Sequence, residues 1–503
     1  MKHARTFQVR LRLEEDASAG LNAMAKLLSR VERALFSRIQ AEPETAMAAH
    51  KRSFLTRFGI TARHFNSCRV AVEGKIRSLK EIQKQRIEAT RDCLDHCQKR
   101  LTSKKLKRAS KFHLQRRQQR LQSRLNQLEA DQQQGRLRLC FGSKKLFRAQ
   151  HHLAESGLNS HQEWKAHWQS MRDQSFFLMG SKDETAGNQS CVCTLEEDGS
   201  VSLRVRLPDA IGRGKYLKLH RIRLPYGHEI LLAALRENTA RKQLYREGDG
   251  SYRERGTAIS YRFVRDHKSW RLFVTVDQKP APIKTDARLG HIGVDLNIDH
   301  LALTEIDRSG NPITSTRVSL CLYGKTTAQA KALIGDAIKQ VVQHAASLGK
   351  PLVIEKLNFC AKKRSLRSSR PAIARMLSSF AYTRTLEAMQ SRAVQEGVEV
   401  ITVNPAYTSQ IGRIKFAKQY GLTIHQAAAL CIARRAAGFC ETLPRQADIP
   451  TGRGGHLAFA VPVRKRHCSQ WLHLKEVSKR LQAALAEHTR MTTCQSVGPP
   501  VPT

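Results

Sequence analysis

No stretch of the 503 residues holds an apolar run near the ~18–20 residues that span a bilayer, so the chain is not expected to cross a membrane. Nor does a polybasic cluster sit beside an apolar anchor, which argues against attachment to a membrane surface. The N-terminal text, MKHARTFQVRLRLEED, alternates like a strand and lacks the apolar core of a secretory signal, so a cytosolic protein is expected. Acids are scarce: 43 Asp+Glu stand against 87 Lys+Arg, for a formal net charge of +44. A folded chain with that excess binds polyanions, and nucleic acid is the default partner. The twelve cysteines form no paired framework. Cys93 and Cys97, with His96 between them, would make half a metal site. Their spacing fits one helix face equally well, and no matching CxxC pair follows at zinc-ribbon distance. Reduced thiols are expected throughout, Cys191 and Cys193 in strand-like text included.

The hydrophobic period divides the chain. Phe7, Val9, Leu11 and Leu13 alternate with polar residues and predict a half-buried strand in residues 1–16. Leu21, Met24, Leu27, Leu28, Val31 and Leu35 then recur at helical spacing, and helical text nearly free of proline runs through residues 17–135. Its last part, residues 99–134, is strongly basic and then Gln-rich. A solvated helix face or coiled coil is the plain reading. The charge exceeds what solubility needs, so Lys104, Lys105, Lys107, Arg108, Lys111, Arg116 and Arg117 are expected to lie along a phosphate backbone. Residues 136–284 read as strands, among them RLRLCFGSKKLF, CVCTLEEDGSVSLRVRLP, KYLKLHRIRLP and WRLFVTVDQ, with turn residues between them. An antiparallel β-barrel or sandwich is expected there. The first strand would complete it, and the helical block would be an insertion; several independent small sheets is the rival. Residues 285–445 switch to mixed α/β text, and 446–503 read as a tail with one amphipathic helix.

Two acids stand out in the α/β part. Asp295 lies in GVDLNIDH, in a strand pattern that continues through Leu301, Leu303 and Ile306, and Glu355 closes the run Leu352, Val353, Ile354. Charge on a buried strand is costly unless paired or bound to metal. Two carboxylates on separate strands of one sheet suit a divalent-metal phosphodiesterase site. The order strand, hairpin, helix, strand, helix, with Asp on the first strand, is the layout of an RNase H-like fold. Such sites hold two Mg²⁺ ions ~3.5–4 Å apart. Either acid alone is weak grounds, since partly buried acids also pair with arginine or cap helices.

Three motifs, GVDLNIDHLALTEID, the pair IEKLNF and VNPAYTSQIG, and HQAAALCIARRAAGF, resemble the RuvC nuclease segments of the transposon-encoded TnpB family and of the compact type V CRISPR effectors related to it. The likeness covers about residues 285–441; FGSKKLF at 141–147, with Lys144 and Lys145 as expected nucleic-acid contacts, resembles some members more weakly. The resemblance implies a guide RNA as cofactor, a double-stranded DNA target opened to single strands, and cleavage at one Mg²⁺-dependent RuvC site. It also implies a wedge barrel with an inserted recognition domain and a prokaryotic cytosolic location, on the nucleoid when DNA is bound. The family's first two catalytic acids fall on Asp295 and Glu355.

The chain departs from that pattern twice. VNPAYTSQIG runs straight on to the last motif with no cysteine between Cys360 and Cys431, so the family's zinc ribbon is absent and no structural zinc is expected. Where the family's third acid begins the last helix, this chain has His425, and no Asp or Glu lies between Glu399 and Glu441. An imidazole can ligate a divalent metal or orient water, although Mg²⁺ prefers oxygen. His425 is therefore the expected third catalytic and metal-binding residue, against the alternative that it only caps the helix of a dead site. Ser409 and Gln410 would touch a phosphate or merely shape a turn, and Arg434 and Arg435 would clamp the cut strand or lie exposed. Lys362, Lys363 and Arg364 in the basic AKKRSLRSSR would contact nucleic acid or form a plain solvated loop. An RNA-guided endonuclease is the leading expectation and a guided binder that does not cut is the second. A transposase or junction resolvase is the third, disfavoured by the Asp, Glu, His order and by some 280 preceding residues.

Overall fold

The computed structural model describes residues 3–102, 108–184, 186–246, 256–278, 280–356, 382–451, 455–465 and 467–495. Two compact units divide at 279/280. Both mix helix and sheet, and no helix among the described residues is long and apolar enough to cross a membrane.

In the N-terminal unit the alternating start forms β1 (His3–Arg10), which pairs antiparallel with β7 (Trp270–Gln278), Phe7 facing Val274 and Val9 facing Leu272. With β6 (Ile259–Arg265) and β2 (Ser175–Leu178) the order is β1-β7-β6-β2. A second antiparallel sheet contains β3 (Cys191–Leu195), β4 (Val201–Arg206) and β5 (Tyr216–Ile222). Helix α1 (Glu15–Ala41) buries Leu21, Met24, Leu28, Val31 and Leu35, three and four residues apart, in one core with Leu203, Val205, Tyr261, Phe263 and Trp270. Beyond α2 (Met47–Phe58), the long α3 (Ala62–Leu101) and α4 (Arg108–Gln133) pack together through Ile87, Leu94 and Leu125.

Of the expected barrel or sandwich the barrel is corrected: the strands form two separate sheets, and no closed barrel forms among the described residues. Part of the strand-like text is helical. RLRLCFGSKKLF leads into α5 (Lys144–Ala149), where the Ser143 hydroxyl accepts from the Leu146 N–H at 3.2 Å, and α6 follows (His161–Arg172). Residues read within the strand region form α7 (His228–Arg246), whose Leu231, Leu232 and Leu235 face inward. Caps and i, i+3, i+4 burial outweighed local β-propensity there.

The C-terminal unit is built on a five-stranded sheet of order β10-β9-β8-β11-β12. β8 (His291–Leu296), β9 (His300–Ile306) and β10 (Pro312–Ser319) are antiparallel; β11 (Leu352–Glu355) and β12 (Val400–Val403) run parallel to β8. Every residue of β8 and β9 is buried, which is why neither strand alternates between apolar and polar positions. Ile292, Val294, Leu352 and Ile354 pack with α8 (Thr327–Leu348) and α9 (Tyr382–Glu396). Val353 and Val403 share a cluster with Ile432 of α11 (Ile424–Ala436). Between β12 and α11 lie the short α10 (Thr408–Ile411) and a π-helical turn, Gly412–Phe416. A β13–β14 hairpin (Gln446–Pro450, His456–Ala460) and α12 (Gln470–Gln495) complete the unit.

The sheet also carries an internal ion pair. Lys350 Nζ donates to Glu305 Oε1 at 2.6 Å and to the Ile306 carbonyl at 3.1 Å, with both side chains under a tenth exposed. Removing one partner strands the other charge in the core. K350M is expected to cost about 3–5 kcal/mol, read as a lower denaturation midpoint, whereas K350M with E305L should recover much of the loss.

Candidate active site

Strand register places the two acids. Leu352, Val353 and Ile354 lie opposite Ile292, Gly293 and Val294, so Asp295 and Glu355 are each the next residue along two neighbouring parallel strands. Alternation then sets which way they face. Gly293 lies against the backbone of Ala429 and Ala433 of α11, and Val353 packs with Ile432 of the same helix. Asp295 and Glu355, two residues on from these, share that face. The capping box of α11 brings in the third residue: the Thr423 hydroxyl accepts from the Gln426 N–H while the Gln426 side chain accepts from the Thr423 N–H. His425 sits in this first turn.

His425 Nδ1 lies 3.1 Å from Asp295 Oδ2. An ionised carboxylate only accepts, so a bond to one is made by Nδ1–H, and the neutral tautomer that makes it carries its lone pair on Nε2. The His425 side chain is 47% exposed, whereas that of Asp295 is 11% exposed. Asn297 Nδ2 donates to the same Asp295 oxygen at 3.0 Å. His300 lies edge-on to His425 with centroids 5.0 Å apart, and its Nδ1 is 2.7 Å from Asp299 Oδ1. The Thr408 hydroxyl donates to Glu355 Oε1 and also lies 3.1 Å from the Pro405 carbonyl. Tyr407, at φ 63°, bends the chain immediately before Thr408, a left-handed conformation that costs a non-glycine residue ~1–3 kcal/mol and tends to mark functional turns. The Tyr382 hydroxyl donates to the Leu296 carbonyl at 3.2 Å. Burial first, and then the charges of Asp295 and Glu355, push this phenol up to about 12. Tyr382 thus stays protonated at neutral pH and lies within the field of both acids.

Two carboxylates side by side on one sheet face supply the hard oxygen donors that Mg²⁺ prefers. His425, the expected third ligand, stands beside them at the start of α11. Its Nδ1 is turned to Asp295, the way a neighbouring group orients a ligand. No group of three or more His, Cys, Asp and Glu side chains is gathered for a metal ion among the described residues.

The remaining candidates spread out. Gln410 Nε2 donates to Ser478 Oγ at 2.7 Å, and Ser409 is exposed beside it. Arg434 is held by Glu441 and by the Gly310 carbonyl at 2.6 Å, and Arg435 donates to the Asn404 and Ala406 carbonyls. These guanidinium groups tie α11 to its surrounding loops. Arg108, Lys111, Arg116 and Arg117 are exposed on α4, and Lys144 and Lys145 on α5. Lys104, Lys105, Lys107, Lys362, Lys363 and Arg364 lie outside the described residues. Sequence reasoning missed Asn297, His300 and Tyr382. Asn297 was reachable, being two residues along the strand direction from Asp295. Tyr382 lies 87 positions from Asp295 and carried no local mark.

No family model matches the chain, and no curated protein does. Among solved structures it is similar to T. thermophilus RuvC in complex with a Holliday junction substrate, at 23% identity and TM-score 0.21, over 29% of this chain and 90% of that one. It is also similar to Cas12f1 in a complex with sgRNA and target DNA, at 11% identity and TM-score 0.22, over 86% of this chain and 99% of that one. Scores this low leave the function to be argued from the site's own residues.

Proposed function

We propose that the chain is an RNA-guided DNA endonuclease that cuts target DNA at a single RuvC-type site on an RNase H-like fold. One observation carries the reading: Asp295 and Glu355 stand level on adjacent parallel strands, beneath the helix that holds His425. The sheet order β10-β9-β8-β11-β12, the RuvC-like motifs and the +44 charge support it. Asp295 and Glu355 would hold Mg²⁺, which when bound supplies charge stabilisation and a more acidic water. Thr408 and Asn297 orient the two carboxylates. His425, with Nδ1–H on Asp295, presents Nε2 to accept a proton from an attacking water. Exposed lysines and arginines on α4 and α5 would hold guide and target backbones, and base pairing would select the sequence.

A second reading is a guided DNA-binding protein that does not cut. The observation favouring it is an imidazole, engaged with Asp295, in place of the family's third acid. The test is to purify the protein with RNA expressed from its own locus and challenge it with guide-matched plasmid in Mg²⁺. Cleavage by the wild type that falls ~100-fold in H425A supports the endonuclease, in line with losing a proton acceptor. Guide-dependent binding without cleavage, with cutting gained in H425D, supports the silenced binder. Absence of any discrete RNA together with tight junction binding overturns both.

A further inference from the structure

Helices α5 and α6 carry aromatic rings that a folded core would ordinarily enclose. α6 has no buried residue, yet it holds two of the chain's four tryptophans. Trp164 and Trp168 are one turn apart on a common face, within 12° of parallel and 6.1 Å apart by centroid. Phe147 of α5 lies 5.3 Å from Trp168 and is 46% exposed. These rings are held in place. The Trp164 indole N–H donates to the Leu146 carbonyl at 2.7 Å, and the Ser160 hydroxyl caps α6 by accepting from the Glu163 N–H at 3.1 Å. Gly142, at φ 95°, lets the preceding loop pass where a Cβ would stand 3.1 Å from Arg172 and 3.6 Å from Trp168.

Cations surround the rings. Lys144, Lys145 and Arg148 are exposed on α5, and the Arg172 guanidinium lies 5.4 Å from the Trp168 ring centroid. Arg172 Nε is buried without a hydrogen-bond partner among the described residues. Burial, and after it the charge of Arg33, disfavour its protonated form, with the charge of Asp173 opposing them. Of the two acids in residues 141–172, Glu163 is engaged in accepting from the Asn159 N–H at 2.8 Å.

Packing alone would bury these rings, and a duplex backbone would need only the cations. Ordered, half-exposed rings beside cations match unpaired nucleotides, whose bases stack while their phosphates pair. We infer that the α5–α6 face is a stacking platform for single-stranded nucleic acid. Bases lie against Phe147 and Trp168, and phosphates against Lys144, Lys145 and Arg172. This holds whether or not Asp295 and Glu355 support cleavage.

The test uses the full chain, stripped of copurifying nucleic acid in high salt. Labelled U12 RNA, dT12 DNA and an abasic strand of the same length and charge are titrated at fixed ionic strength. F147A/W168A is expected to bind the base-bearing strands about tenfold more weakly, within the range for loss of a stacked base, and to bind the abasic strand as the wild type does. F147Y/W168F, which keeps both rings, should retain wild-type affinity. A larger loss on U12 identifies the guide as occupant, and a larger loss on dT12 an opened DNA strand. Equal losses on base-bearing and abasic strands, or no loss on any, would overturn the platform. If the double alanine variant misfolds by circular dichroism, F147A alone must give the same base-dependent pattern, since its ring is the exposed one.

Discussion

D295A and E355A should each reduce guide-dependent plasmid cleavage on the order of 10³-fold or more, while leaving guide RNA and target binding within about twofold of wild type. Holding a divalent ion at the reacting phosphate contributes several kcal/mol to the transition state, and ~4 kcal/mol corresponds to ~10³ in rate. Binding should persist because each change leaves the basic surfaces of α4 and α5 intact. The two acids also share one sheet face, so the losses should not add: D295A/E355A should cut no more slowly than either single variant. Supercoiled-plasmid nicking, followed with and without Mg²⁺, reads the rate, and electrophoretic mobility reads binding. Cleavage by either variant at wild-type rate would remove the carboxylates from the chemistry.

G293A is the second large effect, and it acts on folding. A Cβ at Gly293 would stand 1.9 Å from the Ala429 carbonyl oxygen and 2.8 Å from the Ala433 nitrogen. Both contacts are backbone atoms of α11, so no side chain can swing away; the helix must move off the sheet. Overpacking of this kind costs about 3 kcal/mol, at the upper end of the usual range. Calorimetry of the full chain should show a transition lowered by roughly 6–12 °C, at ~2–4 °C per kcal/mol for a unit of this size. The same movement would carry His425 away from Asp295, so any activity that survives in the folded fraction should resemble that of H425A. An unchanged melting temperature would mean that α11 does not press on β8 in solution.

Legibility followed the range of the interactions. Wherever a local pattern decides the conformation, the text sufficed: the α1 stripe from Leu21 to Leu35 and the alternation in β1 are periodic over a few residues, and the apolar runs that hold Asp295 and Glu355 are short and continuous. RLRLCFGSKKLF misled because its alternation mimics a strand, whereas the Ser143 cap and the packing of α5 on α6 commit it to a turn and helix. α7 was missed for a related reason, since its apolar residues sit in text bracketed on both sides by strands.

By itself the sequence determined that the chain is cationic enough to seek polyanions, that it mixes helix and sheet, and which two acids stand on buried strands. Those properties depend on composition and on periods of two and 3.6 residues, which neighbours in the chain suffice to set. Only the tertiary structure decided that Asp295 and Glu355 stand level, that the His425 ring turns to Asp295 instead of outward, and that Tyr382 and Thr408 complete the surroundings. It also decided that the N-terminal strands form two sheets and, among the described residues, close no barrel. Strand register and helix docking join residues 53 to 130 positions apart. The contacts that choose among such arrangements are the packing of one backbone against another, as at Gly293, and no local pattern records them.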